Sequence, residues 1–480
     1  MLSAVLSLYR LRFANVVVYM LQSTEYQVGA YLRWLWRTEN FSRVMHRREL
    51  QKTRPAKLLL AFMRFGMLAQ AAVCIALGYW WITHNRSVVE TILVIALLLF
   101  TPIIWANLVI VPLALGRWLI IKPYYWFEVQ KSKQAFARTK AAKIAIAGSY
   151  GKTTMKEILL TVLNEGHKVA ATPANRNVSI SHAQFAKSLK GDEEILIIEY
   201  GEGAPGDVAR FTKVTRPNMG IITGLAPAHL DKYKTLRAAG EDIFFLADYL
   251  QNKEVYVNGE SKDLKPFVKK GQILYTSASV AGWRIDNILI KIDGLKFSMK
   301  KGTITLVLKS DLIGRHLVAP LALAAYLAHE SGMTKPQIEK AIAKIKPFEH
   351  RMEAKQIAGA WVIDDTYNGN IEGMEAGLKL LSELPARRKI YVTPGLVDQG
   401  PETERVHIRL GKAIAQAAPD VVVLMKHSVT DFIESGLMGA GFKGELIIED
   451  DPLNFYLNLD KFVASGDLVL MQNDWPDNYT

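Results

Sequence analysis

Residues 144–154 read IAIAGSYGKTT, and the rest of the chain is best understood outward from them. Four apolar residues, Ile144 to Ala147, lead into Gly148-Ser149-Tyr150-Gly151-Lys152-Thr153-Thr154, after which Met155 to Leu163 has helical spacing. The pattern predicts strand, tight loop, helix. Such a loop suits phosphate: Gly151 lets backbone amides approach, Lys152 adds a point charge, and the helix start adds unpaired N–H groups and a positive dipole end. The Thr153 hydroxyl is placed to bind a Mg²⁺ that accompanies a nucleotide. Only two residues separate the glycines, where the general P-loop has four. A lone Gly-Lys-Thr turn also serves as a plain helix cap, so other residues must decide between the two.

The chain has 480 residues, enough for two or three compact units. Of its 59 Lys+Arg and 46 Asp+Glu, 19 and 5 fall within residues 1–143, a net charge of +14, leaving −1 for the remainder. The basic excess is therefore N-terminal. With the nucleotide loop in the near-neutral part, nucleic acid is a poor explanation for the basic excess, and a membrane surface is the better one. The single cysteine, Cys74, rules out intrachain disulfides and cysteine-based zinc sites. Leu58 to Thr83, interrupted by Arg64 and Gln70, and Val88 to Ile121 are each long enough to span a bilayer as a helix. Tyr79, Trp80 and Trp81 mark one interface; Trp118, Tyr124, Tyr125 and Trp126 mark the other. Basic residues flank the outer ends of both stretches, from Arg33 to Lys57 and from Lys122 to Lys143, and only the turn His84 to Ser87 joins them. The expectation is a transmembrane hairpin with both ends cytoplasmic. Before it, Leu2 to Leu21 is broken by Arg10 and Arg12 and reads as an interfacial helix. Glu25 to Phe41 interleaves aromatics with Arg33 and Arg37, which suits either a lipid-headgroup surface or packing on the hairpin.

From Lys143 onward strand-like runs alternate with helical patterns. The strands are expected at Ile195 to Glu199, Met219 to Thr223, Glu254 to Val257, Trp361 to Asp364, Lys389 to Thr393, Val421 to Leu424, Glu445 to Ile448 and Leu468 to Met471. Helical patterns include Leu321 to His329 and Met374 to Leu381. The alternation predicts an α/β fold with parallel sheets, and the β-rich Ile285 to Leu308, with Gly294 and Gly302 at turns, predicts a small antiparallel excursion.

Six segments in one order carry a resemblance: GSYGKTT; TPANRN (Thr172 to Asn177); IIEYG (Ile197 to Gly201); TRPNMGIITGLAPAHLD (Thr215 to Asp231); HRMEA (His350 to Ala354); and IDDTYNGN (Ile363 to Asn370). Together they resemble the Mur ligase family, and most of all its branch that joins D-alanyl-D-alanine to a UDP-N-acetylmuramoyl-tripeptide. The resemblance begins near Ile144. It implies a P-loop central domain over 144–346 and a Rossmann-like C-terminal domain over 347–480, following a membrane-associated region over 1–143 that stands where soluble relatives hold the UDP-sugar. It implies ATP and Mg²⁺ as cofactors, transfer of the γ-phosphoryl group to a carboxylate, and displacement of phosphate from the acyl phosphate by an amine. Lys152 and the loop Gly148 to Thr154, with Asn175, would hold the phosphates. Thr153, Glu199 and His229 would bind metal, with Lys152, Glu199 and His229 carrying catalysis, while Arg351 would reach phosphate and Asp365 the ribose hydroxyls. The implied partners are a muramoyl-peptide precursor, an amino acid or dipeptide such as D-Ala-D-Ala, and a lipid membrane. The implied location is the cytoplasmic membrane of a bacterium, with the catalytic domains in the cytoplasm.

Three departures stand beside these matches. Gly240 occupies the place of the lysine that relatives carbamylate to bridge metals, with Glu241 or Asp242 as substitute carboxylates. The family's His-Asn-x-x-Asn reads His316-Leu317-Val318-Ala319-Pro320, and Ser181 and Ala183 replace a Gly and a Pro. Two other readings stay open: a ligase that adds glutamate or a similar amino acid to another acceptor, and a membrane-tethered ATP-binding scaffold without catalysis.

Overall fold

The computed structural model describes residues 6–473 except 11, 25, 39, 42–49, 85–87, 174–178, 228–229, 368 and 397–398. The chain divides into two compact units, Met1–Phe127 and Glu128–Thr480.

The first unit is helical: α1 (Phe13–Ser23), α2 (Val28–Arg37), α3 (Arg54–His84), α4 (Val88–Leu108), α5 (Ile110–Gly116), a π turn (Arg117–Ile121) and the start of α6 (Lys122–Arg138). The helix that carries the second apolar stretch continues beyond Ile121, through the more polar residues 122–138, and ends at Arg138. Pro112 and Pro123 each lack an amide donor, which accounts for the turn at Val109 and the π pairing just before Pro123. Where the sequence breaks its first apolar run, the side chains find partners inside the unit. Gln70 accepts from Trp105 Nε1 at 2.7 Å and donates to the Leu97 carbonyl at 3.1 Å, and Arg64 donates to Asn15 Oδ1 at 2.9 Å. Gly66 makes room for the Trp105 ring, which a Cβ there would meet at 2.0 Å. The outward side chains of α3 and α4, among them Leu58, Phe65, Leu68, Val88 and Val89, are exposed. By length and composition alone these helices could cross a membrane: Arg54–Trp81 and Val88–Arg138 each contain an 18-residue stretch of high mean hydropathy, 1.9 and 2.5 respectively. Of the two uses open to Glu25 to Phe41, packing is realised on one face of α2, where Tyr31 and Leu35 are buried and Tyr31 donates to the Ala106 carbonyl at 2.7 Å. Arg33, Trp36 and Arg37 occupy its exposed face.

The second unit opens with the end of α6, whose Phe136 packs beside Phe185 and whose Glu128 pairs with Lys187. Residues 128–143, read from the sequence with the N-terminal region, thus group with the second unit. Among the described residues ten strands form one sheet: β1 (Ala142–Ala147), β2 (Val169–Ala171), β3 (Ile195–Glu199), β4 (Met219–Ile222), β5 (Val255–Asn258), β6 (Ile273–Tyr275), β7 (Ser279–Val280), β8 (Trp283–Lys291), β9 (Gly294–Lys301) and β10 (Ile304–Ser310). Their order is β10-β9-β8-β7-β6-β5-β4-β1-β3-β2, parallel from β2 through β6 and antiparallel from β6 through β10. The expected antiparallel excursion is β8 to β10. Because β1 and β3 are covered on both faces, their residues 144–147 and 195–198 read as continuous apolar runs. One face is covered by α7 (Lys152–Leu163) and by α11 (Val318–Glu330), whose VAPLALAAYLAHE sequence is buried almost all round. The other is covered by α8 (Ser179–Ser188), α9 (Asp207–Thr215) and α10 (Leu236–Tyr249). Each fully buried Ile, Leu or Phe contributes roughly 1.5–3 kcal/mol.

Six further strands form a second sheet: β11 (Glu353–Ile357), β12 (Ala360–Asp365), β13 (Arg388–Thr393), β14 (Val421–Met425), β15 (Glu445–Glu449) and β16 (Asp467–Gln472). The order is β11-β12-β16-β13-β14-β15, parallel except for the edge strand β11. Its cores lie on both faces, one of them under the helices Ile371–Glu383 and Thr403–Ala417.

Candidate functional site

Open parallel sheets bind ligands at the carboxyl ends of strands, where successive connections leave in opposite directions. In the large sheet that point is β1, which lies between β3 and β4 with Ile146 opposite Glu199 and Ala147 opposite Ile222. Leaving β1, the chain turns at Gly148 (φ +143°) and Gly151 (φ +75°) and enters α7 at Lys152. A Cβ on Gly148 would lie 2.4 Å from Thr223 Oγ1, so glycine is required. The turn is pinned to the end of β4: Ser149 N–H donates to the Gly224 carbonyl at 2.8 Å, and Thr223 Oγ1 donates to the Tyr150 carbonyl.

The described side chains at this turn form three ion pairs, one of them between Lys156 and its neighbour Glu157 at 3.2 Å. Lys152 Nζ lies 2.7 Å from Glu202 Oε2 and also donates to the Gly148 carbonyl. Lys156, one helical turn later and fully buried, places Nζ 3.2 Å from Glu199 Oε2. The other oxygen of Glu199 accepts from Thr153 Oγ1 at 2.8 Å, and the Glu199 carbonyl is 2.8 Å from His182 Nε2. Burial pushes His182 down to about 4, so its imidazole is neutral at neutral pH. The structure thus brings Lys152, Thr153 and Glu199 together. Asn175 and His229, the other residues expected here, lie outside the described residues, and among the described residues no cluster of three or more His, Cys, Asp or Glu side chains is poised for a metal.

From Tyr150, Gly151 and Thr154 a cavity of about 700 Å³ extends toward the second sheet. Its walls include His316, Leu317 and Pro320 on one side and Arg351, Asp365 and Tyr367 on the other. The Arg351 guanidinium stacks 4.3 Å from the Tyr367 ring centroid. Asp365, at the end of β12, accepts from Gln472 Nε2 at 2.8 Å and from Met352 N–H at 3.3 Å. Burial pushes its carboxyl up to about 6 against the pull of those bonds and of Arg351. Burial also raises Tyr150 to about 12, with its hydroxyl bonded to Ser261. His316 faces the cavity with one buried nitrogen, Nδ1, that has no partner among the described residues, and burial lowers it to about 4.

The substitute carboxylates next to Gly240 are committed elsewhere. Glu241 is exposed and pairs with Arg237, while Asp242 accepts from the Tyr233 hydroxyl at 2.8 Å. Gly240 itself lies under Phe267, whose ring a Cβ would meet at 2.3 Å, so no longer side chain fits there without displacing that ring. Sequence reasoning missed Glu202, Lys156 and His182. Lys156 had a signal, because it follows Lys152 at helical i,i+4 spacing. Glu202, three residues beyond the strand-closing Glu199, had none that pointed to Lys152.

A glycine-pinned loop at the switch point of a parallel sheet, opening into a cavity shared with a second parallel domain, defines a nucleotide-binding α/β protein of two domains. Family models identify those domains: residues 146–328 match the Mur ligase middle domain, and residues 350–472 match the Mur ligase, glutamate ligase domain. The chain belongs to the Mur ligase family. Similar curated proteins include the UDP-N-acetylmuramoyl-tripeptide--D-alanyl-D-alanine ligase of Escherichia coli (strain K12), 27% identical over 293 residues, which are 59% of this chain and 64% of that one. The enzyme of the same name from Borreliella burgdorferi is 27% identical over 266 residues, 54% of this chain and 56% of that one. The match thus spans less than two thirds of these relatives' length. Among solved structures, MurF ligase from Thermotoga maritima in complex with ADP superposes with a TM-score of 0.64 at 20% identity, covering 73% of this chain and 80% of that one. MurF from Acinetobacter baumannii gives 0.63 at 19% identity, covering 73% and 77%.

Proposed function

We propose that the protein is a membrane-anchored, ATP-dependent amide ligase of peptidoglycan-precursor synthesis that adds D-Ala-D-Ala to a muramoyl-peptide. The observation that carries this reading is the continuity of the glycine-pinned loop, with Lys152 and the bonded Thr153–Glu199 pair, into the cavity lined by Arg351 and Asp365. The loop amides and Lys152 bind and orient the phosphates, Asp365 accepts from the ribose hydroxyls, and Arg351 reaches phosphate from the C-terminal domain. Thr153 and Glu199 present two adjacent oxygens, a donor set that fits Mg²⁺. The bound ion would offset negative charge on the phosphates as it develops. In the proposed reaction the γ-phosphoryl of ATP passes to the precursor's terminal carboxylate, with ADP leaving. The amine of the dipeptide then attacks the acyl carbon, an amide bond forms, and inorganic phosphate departs. The exposed apolar faces of α3 and α4 support insertion of the first unit as a hairpin in the cytoplasmic membrane, with both catalytic domains in the cytoplasm.

The test is phosphate release and product mass from the full chain in detergent, supplied with ATP, Mg²⁺ and a UDP-linked or lipid-linked muramoyl-tripeptide, across D-Ala-D-Ala, single amino acids and glutamate. Dipeptide-dependent product supports the reading. Release that depends on glutamate instead, or nucleotide binding with no turnover on any pair, would replace it with one of the two alternatives.

A further inference from the structure

The phosphate end of the site carries two ammonium groups and two carboxylates, and all four side chains are at least nine-tenths buried. Lys152 is paired with Glu202 at 2.7 Å, with side-chain exposures of 10% and 7%, and Lys156 with Glu199 at 3.2 Å, with exposures of 0% and 4%. These four formal charges cancel, and the partly exposed Glu157, 3.2 Å from Lys156 Nζ, adds a third carboxylate, so the cluster has no spare positive charge. The lysine expected to receive phosphate therefore already has a buried counter-ion, and a nucleotide that displaces it leaves Glu202 beside its own negative charge. The Glu202 side chain is buried, and the backbone just beyond it is pinned. Two residues later, the Ala204 carbonyl accepts from the Tyr233 hydroxyl at 3.0 Å, and the Ala204 amide donates to Asp207 Oδ2 at 2.8 Å. The same Tyr233 hydroxyl is held by Asp242 at 2.8 Å.

Like charges brought together in a site with little water repel strongly, whereas a divalent cation between them turns the contact attractive. We propose that Glu202 makes this site selective for nucleotide in its divalent-metal complex, by setting a fixed negative charge against metal-free phosphate at Lys152. The inference rests on the nucleotide-binding reading above and adds a role for a residue outside the expected phosphate and metal set.

The experiment measures binding of a fluorescent ADP analogue to the full chain in detergent, with excess Mg²⁺ and with EDTA, for wild type, Glu202→Gln and Glu202→Asp. Wild type is expected to lose at least about tenfold in affinity without metal, the scale of one partly buried like-charge contact. Glu202→Gln should remove most of that loss by strengthening metal-free binding, and Glu202→Asp, which keeps the charge, should preserve it. If circular dichroism shows that the glutamine variant does not fold, Glu202→Ser, which leaves room for water beside Lys152, takes its place. Equal wild-type binding with and without Mg²⁺, or a neutral variant with the wild-type ratio, overturns the proposal while leaving nucleotide binding intact. Absence of binding in every arm overturns the nucleotide reading and this inference with it.

Discussion

Asp365 lines the cavity at a cost in stability, and that cost has a sign that can be measured. Its carboxyl is buried at the cavity wall, and burial lifts it to about 6 from the unfolded value of 3.8. The folded chain therefore holds this proton more tightly than the unfolded chain does. As pH rises from about 4 to about 6 the unfolded chain ionises first, stability falls, and above pH 6 the cost is complete. A shift of about two pH units corresponds to an upper figure of about 3 kcal/mol. Asp365→Asn removes the charge but keeps the shape. Its amide must turn one N–H toward either Gln472 Nε2 or the Met352 amide, both donors in the native structure. That mismatch costs about 1–2 kcal/mol, leaving a net gain of about 1–2 kcal/mol near neutral pH. Melting in detergent micelles should place the variant about 2–8 °C above wild type at about pH 7.5, with the difference gone or reversed near pH 4.5. In parallel, ADP is expected to raise the melting temperature of wild type, and that rise should vanish in the variant if the proposed ribose contact of Asp365 is made. A variant less stable than wild type at pH 7.5 and more stable at pH 4.5 would refute the burial argument. Full retention of the ADP-induced rise would refute the ribose assignment.

Gly240→Ala should destabilise the second unit by about 1–2 kcal/mol in urea denaturation, because the displaced Phe267 ring, stacked 5.4 Å from Phe244, outweighs the roughly 1 kcal/mol of helix propensity gained. A more stable alanine variant would mean that the ring yields freely. Lys152→Ala and Glu199→Ala should each lower ligation by about two orders of magnitude or more while the circular dichroism spectrum is retained; near wild-type turnover in Glu199→Ala would end its assignment to the metal. Reporter fusions after Thr480 should read cytoplasmic and fusions within 84–87 should read external; an external signal from the C-terminal fusion would overturn the hairpin.

Much of the second unit was legible because its physics is local. Strands buried on both faces, such as Val421–Met425 and Ile195–Glu199 up to Ile198, are apolar and so stand out as uninterrupted runs. The turn from Gly148 to Thr154 was readable for a similar reason, since a positive φ beside a helix start demands glycine at fixed spacing. The helix that passes Ile121 and ends only at Arg138 was harder to bound, because Pro112 and Pro123 bend its pairing without ending it. Tertiary structure alone decided what depends on strands and helices distant in sequence coming together. The last strand, β16, enters the sheet between β12 and β13 and so brings Gln472 to Asp365. The same long-range packing gives Lys152 its counter-ion fifty residues away in Glu202 and sets Phe267 over Gly240. Local periodicity reports which face of an element is buried, whereas these contacts are set by which elements share a core, and a carboxylate such as Glu202 looks the same in the sequence whether it meets water or an ammonium group.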